Sequence, residues 1–426
     1  MTDAIVVGAG VAGLAAAAAL RRAGASCEVL EAAARIGGRA FTDHPAALAG
    51  AAFDHGASWL HAAERNPLAD LARAHGDPLH QTAGDWTRHV LIGDRRATAE
   101  EIAEYDAAWA RFSALATARA EAGPDVSLAD AVADLRDDPW TATVENWEAS
   151  LIAAAPAEDF SVRDWHLNQL HGSNLRMPGG LGALVARRLA PAAGNVCLNT
   201  PVSRIAWDRK DGVAVTTPRG TMAARLAIVT VSTGVLAAGD IAFAPALPAA
   251  RLAAIAGLPM GLLTKVALRA VSDDRLGLAA GTSLYRRATP GVPAMVFLAW
   301  PGGADHVVGF IGAGAAWELS RAGAAATEAF AREELSALLG ARAAAAFAGA
   351  VATGWGADPL HRGAYAYARP GCADARAAMD APLGKLIFAG EAWCSDGLAG
   401  TVGGAFRSGE RAAGMALAHC SGVQLR

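Results

Sequence analysis

Ala4-Ile5-Val6-Val7-Gly8-Ala9-Gly10-Val11-Ala12-Gly13 is the stretch whose reading decides the fold. Ala4–Val7 is an apolar run of strand length. Val11–Ala23 follows as an Ala/Leu-rich helix ending near Gly24, and Cys27–Leu30 reads as a second strand, which completes a βαβ unit. The turn between strand and helix is GxGxxG, and Glu31 ends the second strand eighteen residues after Gly13. Gly8 permits the tight turn, Gly10 lets a pyrophosphate approach the backbone, and Gly13 lets the helix pack closely on the sheet. Val11 and Ala12 open the helix, whose N–H groups and positive dipole end would meet the phosphates. Glu31, followed by Ala32, would accept hydrogen bonds from ribose hydroxyls. On these residues alone NAD and FAD both remain open.

Outward from this unit, the chain's 426 residues exceed the roughly 250–300 at which single cores stop growing, so two domains are expected. Hydrophobic residues make up 53%, yet no apolar run reaches the ~20 needed to cross a bilayer. Met1 leads almost directly into the first strand, leaving no room for a cleavable leader, so a soluble cytoplasmic protein is expected. A net charge of −4 gives no global attraction to nucleic acid or anionic lipid, which points to small-molecule partners. The five cysteines, Cys27, Cys197, Cys372, Cys394 and Cys420, lack the spacings of a zinc site or disulfide framework; they read as free thiols, with no metal.

From Asn66 to about Arg176 the chain reads as helices and loops of a different character, with amphipathic stretches at Ala99–Ala122 and Trp147–Leu151. Met177-Pro178-Gly179-Gly180 starts a helix, Leu181–Leu189. Val202–Trp207, Val213–Thr217 and Leu226–Val231 then alternate like strands of the first domain's sheet. Gly261–Ala270, Ala294–Trp300 and His306–Ile311 read as strands of a second excursion, before an Ala-rich helical region from about Ala315 to Ala350. Leu386–Ala389 is a short strand, and Gly404–Ala418 a closing helix.

Arg35-Ile36-Gly37-Gly38-Arg39 places a glycine pair and a cation just beyond Glu31, and here the sequence resembles the flavin-containing amine oxidase family. The resemblance extends over Gly56-Ala57-Ser58-Trp59-Leu60-His61, Met177–Gly180, Pro201-Val202-Ser203-Arg204-Ile205, Ile228–Leu236, Phe388-Ala389-Gly390-Glu391 and Gly400-Thr401-Val402, almost the full chain. It implies an α/β fold: a glutathione-reductase-like FAD-binding Rossmann domain with an inserted α+β substrate domain of mixed sheet plus helices. The expected division is 1–72, 176–262 and 378–426 for the FAD-binding domain, with 73–175 and 263–377 for the substrate domain.

The resemblance also implies roles. Gly38 and Arg39 would lie near flavin and pyrophosphate, Gly56, Ala57, Ser58 and Trp59 beside the isoalloxazine ring, and Val202 against adenine through its backbone. Gly390, Glu391, Gly400, Thr401 and Val402 would cradle the flavin. Lys265 is one of only three lysines, set inside the apolar strand Leu262–Leu268, where an ammonium is costly unless something pairs with it; the corresponding family lysine bonds through a water to flavin N5. Trp355 belongs to the same block as Tyr365, which would form an aromatic wall against the substrate nitrogen.

The departures narrow this reading. Ala364 stands where animal monoamine oxidases carry the cysteine that binds FAD covalently, so FAD is expected to be noncovalent, with Cys394 as a remote alternative. Thr401 stands where their second cage tyrosine would be. Their membrane-anchoring helix and the added domains of the family's histone demethylases are not expected in this length. His61 resembles a histidine at the substrate entrance of animal polyamine oxidases, with Ala62 in place of the usual glycine. It would hydrogen-bond a substrate amine or assist its deprotonation. The expected activity is oxidation of an amine with Lys265, Tyr365, Thr401 and His61 at the reacting end: hydride to flavin N5, an imine hydrolysed to a carbonyl compound, and dioxygen reduced to hydrogen peroxide. Polyamines or other primary and secondary amines are favoured. An L-amino-acid oxidase, a desaturase and a flavin-binding protein without turnover are the rivals, and monomer and homodimer both stay open.

Overall fold

The computed structural model describes residues 1–81 and 87–421; 82–86, inside the expected substrate domain, and 422–426, the end of the expected FAD-binding domain, lie outside the described residues. Two sheets organise the chain. In the first, Thr2–Val7 pairs in parallel with Cys27–Leu30 on one side and Gly220–Val229 on the other. The order across this sheet is Val196–Cys197, Cys27–Leu30, Thr2–Val7, Gly220–Val229, Gly212–Thr217, Arg204–Arg209, Ala242–Ala244, with Leu386–Phe388 added in parallel on the far half of Gly220–Val229. The fully buried Ala4, Ile5, Val6 and Val7 explain why the opening strand is apolar on both faces. On one face lie the helices Val11–Arg22 and Val402–Cys420, packed through the small residues Ala12, Ala16 and Ala412; a Cβ on Gly409 would lie 2.1 Å from the Ala12 carbonyl oxygen.

The second sheet runs Phe347–Ala352, Leu263–Ala270, His306–Gly312, Val296–Ala299, Ser283–Arg286, Arg88–Ile92, Arg95–Arg96. Its faces are covered by Ala99–Ala122 with the helices up to Leu167, and by Ala324–Leu339. A short antiparallel ladder pairs Met260–Gly261 with Tyr365–Ala366. The α/β class with two sheets is as expected, and among the described residues no helix is long and apolar enough to cross a membrane.

Several local expectations are corrected. The region from Asn66 to Arg176 is not purely helical, since Arg88–Ile92 and Arg95–Arg96 join the second sheet. The Ala-rich tract to Ala350 ends in the strand Phe347–Ala352, where pairing with Val266–Ala270 overrides alanine's helix preference. Val202 precedes its strand, which spans Arg204–Arg209. Leu181–Leu189 begins α-helical but widens to a π-helical turn from Val185, and Asn146–Ala153 is π-helical throughout, continuing the α-helix Thr141–Glu145.

Candidate active site

A single cavity of about 670 Å³ runs from the glycine turn to the second sheet, and its walls include Gly8, Glu31, Arg39, Ser58, Lys265, Tyr365 and Thr401. At one end, Gly8 has φ +103° and a Cβ there would meet Thr230 Oγ1 at 2.7 Å. A Cβ on Gly13 would lie 1.9 Å from the Gly8 carbonyl oxygen, whereas one on Gly10 would meet no atom within 4 Å. Gly8 and Gly13 therefore serve the protein's own packing, and Gly10 is bare toward the cavity. The helix starting at Val11 has no side-chain cap and no acid in its first turn, so its positive end is free for an anion. Glu31 is fixed by two backbone donors, Ala9 N at 2.6 Å and Ala33 N at 2.8 Å, one on each oxygen. Each oxygen keeps a second acceptor site for a ribose hydroxyl. Ala32 and Val202 line the same end.

Midway, Arg39 Nη1 donates to Glu391 Oε1 at 2.8 Å and to the Ala364 carbonyl at 2.8 Å. That pair ties the segment after Glu31 to the turn before the last helix. Gly56 packs so closely that a Cβ would lie 1.8 Å from the Arg39 carbonyl oxygen, and Trp355 lies over it while donating to the His55 carbonyl at 2.9 Å. Gly38, Ala57, Trp59, Gly390, Gly400 and Val402 also line the cavity. These features fit an adenine dinucleotide: a bare anion-binding helix end, an acid for the ribose, and a long channel whose walls approach by backbone.

At the other end Lys265 is 4% exposed. Its Nζ donates to Ser58 Oγ at 2.6 Å, to the Asp54 carbonyl at 3.1 Å and to the Gly56 carbonyl, with the Trp59 and Phe310 rings 5.8 and 5.9 Å away. All three ammonium donors thus have oxygen partners, which meets the requirement its burial imposes. Burial lowers its pKa to about 8, partly opposed by Asp54 and reinforced by Arg176.

Tyr365 stands on the short ladder with its hydroxyl donating to the Leu151 carbonyl at 2.9 Å, and a Cβ on Gly400 would lie 3.7 Å from its ring. Burial pushes that hydroxyl's pKa upward, so it remains a neutral donor. Thr401 lines the cavity, but its hydroxyl is the N-cap of Val402–Cys420: it accepts from Gly404 N at 3.0 Å and donates to the Leu398 carbonyl at 2.7 Å. Its proton is therefore already used. His61 lines the cavity with Nδ1 2.8 Å from Asn174 Oδ1, an acceptor, which makes Nδ1 the protonated nitrogen and Nε2 the acceptor. Burial lowers its pKa and keeps the ring neutral. Ala62 has φ +47°, a left-handed conformation that favours glycine.

Three groups at the site escaped the sequence reading. Asp164 and Arg376 form a buried bidentate pair at 2.7 Å, with Arg376 also donating to the carbonyls of Ala366 and Ala392. Glu148 lines the cavity with one oxygen bonded to Trp109 Nε1 at 2.9 Å and the other to Trp165 Nε1 at 2.8 Å. The only available sequence signal was a lone acid inside the amphipathic stretch Trp147–Leu151. The five cysteines are all free, and buried Cys394 donates to Asp396 Oδ1 at 2.8 Å.

A family model described as flavin containing amine oxidoreductase matches residues 11–417. Polyamine oxidase 4 of Oryza sativa subsp. japonica is 30% identical over 446 residues, covering 96% of this chain and 87% of its own length. Polyamine oxidase 2 of Arabidopsis thaliana is likewise 30% identical, with 96% and 86% covered. Among solved structures, cyclohexylamine oxidase from Brevibacterium oxydans IH-35A superposes with a TM-score of 0.81 at 25% identity over 99% of both chains. Wild-type putrescine oxidase bound to putrescine gives 0.80 at 26% identity over 98% of this chain and 99% of the other.

Proposed function

The chain belongs to the flavin-containing amine oxidoreductases, its cofactor is FAD, and on that premise we propose that it oxidises a small primary or secondary amine at the carbon beside nitrogen, polyamines being favoured. The overall conversion would take an amine, dioxygen and water to a carbonyl compound, the released amine or ammonia, and hydrogen peroxide. FAD supplies the two-electron acceptor for the hydride equivalent that leaves the carbon. The observation that carries the reading is the continuity of one cavity from the bare helix end at Gly10 to Lys265 and Tyr365.

In this reading the adenine end is held by Gly8, Gly10, Val11, Ala12, Gly13, Glu31, Ala32 and Val202, and the flavin end by Gly38, Arg39, Gly56, Ala57, Ser58, Trp59, Trp355, Gly390, Glu391, Gly400, Thr401 and Val402. No covalent link is made, since Ala364 offers no thiol before Tyr365. Residues 1–72, 176–262 and 378–426 form the cofactor domain, and 73–175 with 263–377 the substrate domain. The supporting pattern is that the first sheet draws its strands from the former ranges and the second from the latter.

Tyr365 presents a ring, anchored at its hydroxyl, against which the substrate nitrogen rests. The nitrogen must be neutral to release a hydride from its neighbouring carbon, and the apolar walls favour the uncharged form. His61, neutral with Nε2 free to accept, is placed to take a proton from an incoming ammonium. Thr401 acts by fixing the start of its helix beside Tyr365. Lys265 supplies the one buried ammonium beside Gly56 and Ser58, and is the group assigned to assist the dioxygen reaction. An L-amino-acid oxidase would need a cation free to clamp a carboxylate. The arginines lining the cavity among the described residues, Arg35, Arg39 and Arg376, are already engaged by Gly38, Glu391 and Asp164 respectively.

The test is anaerobic bleaching of the yellow holoenzyme by a panel of polyamines, monoamines, N-methylated amines and L-amino acids. Rapid reduction by an amine class supports the proposal. Reduction by amino acids alone would move the chain to the carboxylate-clamping branch, and no reduction would refute amine oxidation.

A further inference from the structure

Glu148 is 7% exposed, lines the cavity, and has no cationic partner among the described residues; its two bonds come from Trp109 and Trp165, both neutral donors. Indole N–H groups satisfy an oxygen's directionality but leave the carboxylate's charge uncompensated, and an uncompensated buried charge is costly. The other buried acids beside the cavity differ in this respect, since Glu391 is paired with Arg39 and Asp164 with Arg376. Burial accordingly pushes the Glu148 carboxyl up from the ordinary carboxylate range, with the two indoles only partly opposing.

The carboxylate also has a fixed place relative to the reacting end. Glu148 and Leu151 lie on the same π-helical turn, Asn146–Ala153, and the Leu151 carbonyl receives the Tyr365 hydroxyl at 2.9 Å. The carboxylate's helical turn and the carbonyl that holds Tyr365 are therefore one element, and Glu148, Leu151 and Tyr365 all line the same cavity. Trp147, Phe160 and Leu263 line the cavity around this turn, and such walls suit methylene groups and the flank of a cation.

We propose that Glu148 anchors a second, protonated nitrogen of the substrate, so that the preferred amine is a diamine or oligoamine with one neutral nitrogen at Tyr365 and one ammonium at Glu148. The ammonium supplies the counter-charge that Glu148 lacks among the described residues. This deepens the amine-oxidation reading and rests on it. A monoamine of the same length fills the same apolar walls but leaves the carboxylate unpaired.

The experiment compares 1,4-diaminobutane with n-butylamine in two ways: the concentration dependence of anaerobic flavin bleaching, and calorimetric binding to dithionite-reduced holoenzyme, which cannot turn over. The diamine is expected to bind about tenfold or more tightly in the unmodified protein. In Glu148→Gln that ratio should fall toward one. In Glu148→Asp, whose carboxylate is drawn back by one methylene, preference should return but move to 1,5-diaminopentane. Equal affinities in the unmodified protein, or an undiminished ratio in Glu148→Gln, would overturn the proposal while leaving amine oxidation standing. Absence of bleaching by every amine would instead remove the reading on which it rests. A Glu148 that merely pins two tryptophans would lower the melting temperature on substitution without changing the diamine-to-monoamine ratio.

Discussion

Replacing Asp164 with alanine is expected to destabilise the protein by about 3–5 kcal/mol, because it strands a buried guanidinium. Arg376 Nε and Nη2 each lie 2.7 Å from an Asp164 oxygen, and the two side chains are 5% and 3% exposed. The same carboxylate accepts from Ala368 N at 2.9 Å and from Asn168 Nδ2 at 2.8 Å, so truncation also orphans a backbone donor beside the Tyr365 ladder. Arg376 in turn reaches the carbonyls of Ala366 and Ala392, which links the helix Val162–Leu167 to both the ladder and the Glu391 turn. Removing both charges, as Asp164→Leu with Arg376→Met, relieves the unpaired cation and leaves the lost bonds to Asn168, Ala366, Ala368 and Ala392, at roughly 1 kcal/mol each. The double variant should therefore lose about 4 kcal/mol or less, and a mutant cycle with the single variants Asp164→Leu and Arg376→Met should show a coupling of at least ~2 kcal/mol. Urea unfolding followed by tryptophan fluorescence measures the stabilities, and flavin absorbance monitors cofactor release in the same titration. A single-variant loss under ~1 kcal/mol, or strict additivity, would refute the argument that this pair is a buried clamp.

Other substitutions separate packing from binding. Gly10→Ala should fold normally, because nothing in the protein meets the new Cβ, yet lose most of its flavin, read as the ratio of 450 to 280 nm absorbance; Gly13→Ala, driven into the Gly8 carbonyl, should lose soluble protein as well. Tyr365→Phe gives up one hydrogen bond, about 1 kcal/mol, and should keep flavin reduction within severalfold, while Tyr365→Leu removes the ring and should slow reduction by ten times or more. Lys265 carries its proton to about pH 8 in the folded protein, against 10.5 ordinarily. The unfolded chain therefore binds more protons between those values, and stability gains a contribution as pH rises through that window, absent in Lys265→Met. If the ammonium assists the dioxygen reaction, aerobic turnover falls above about pH 8 and the Met variant lacks that limb.

The parts of the site that the sequence made legible are those with local causes. Gly8, Gly10 and Gly13 stand within six residues; Gly8 and Gly13 meet backbone requirements of the turn and Gly10 leaves the helix end bare, so spacing alone carries the inference. Elsewhere a local pattern was present but misleading. Arg88–Ile92 shows no alternation because Val90 packs against Tyr105 on one side of the sheet while the adjacent Leu91 packs with Val266 and Leu284 on the other. A strand buried on both faces loses its period, and the surrounding helices set the expectation. In Phe347–Ala352 small residues carry a helix preference worth less than the ladder formed with Val266–Ala270.

The reacting end has a different kind of obscurity, because its meaning lies in pairs that are distant in sequence. Asp164 and Arg376 are 212 residues apart, and neither is unusual in its own neighbourhood. Lys265 was conspicuous by rarity and burial, but the Asp54 and Gly56 carbonyls that hold it are backbone atoms more than 200 residues away, which no residue pattern encodes. Glu148 is the extreme case. Read locally it is one acid on an amphipathic turn, where the ordinary expectation is a solvated face. Only the arrival of Trp109 from 39 residues earlier and Trp165 from 17 later makes it a buried carboxylate held by neutral donors, with no cation beside it among the described residues. The same folding that hides its role in the sequence creates its chemistry, since a carboxylate gains selectivity for an ammonium only when water and competing cations are held away from it.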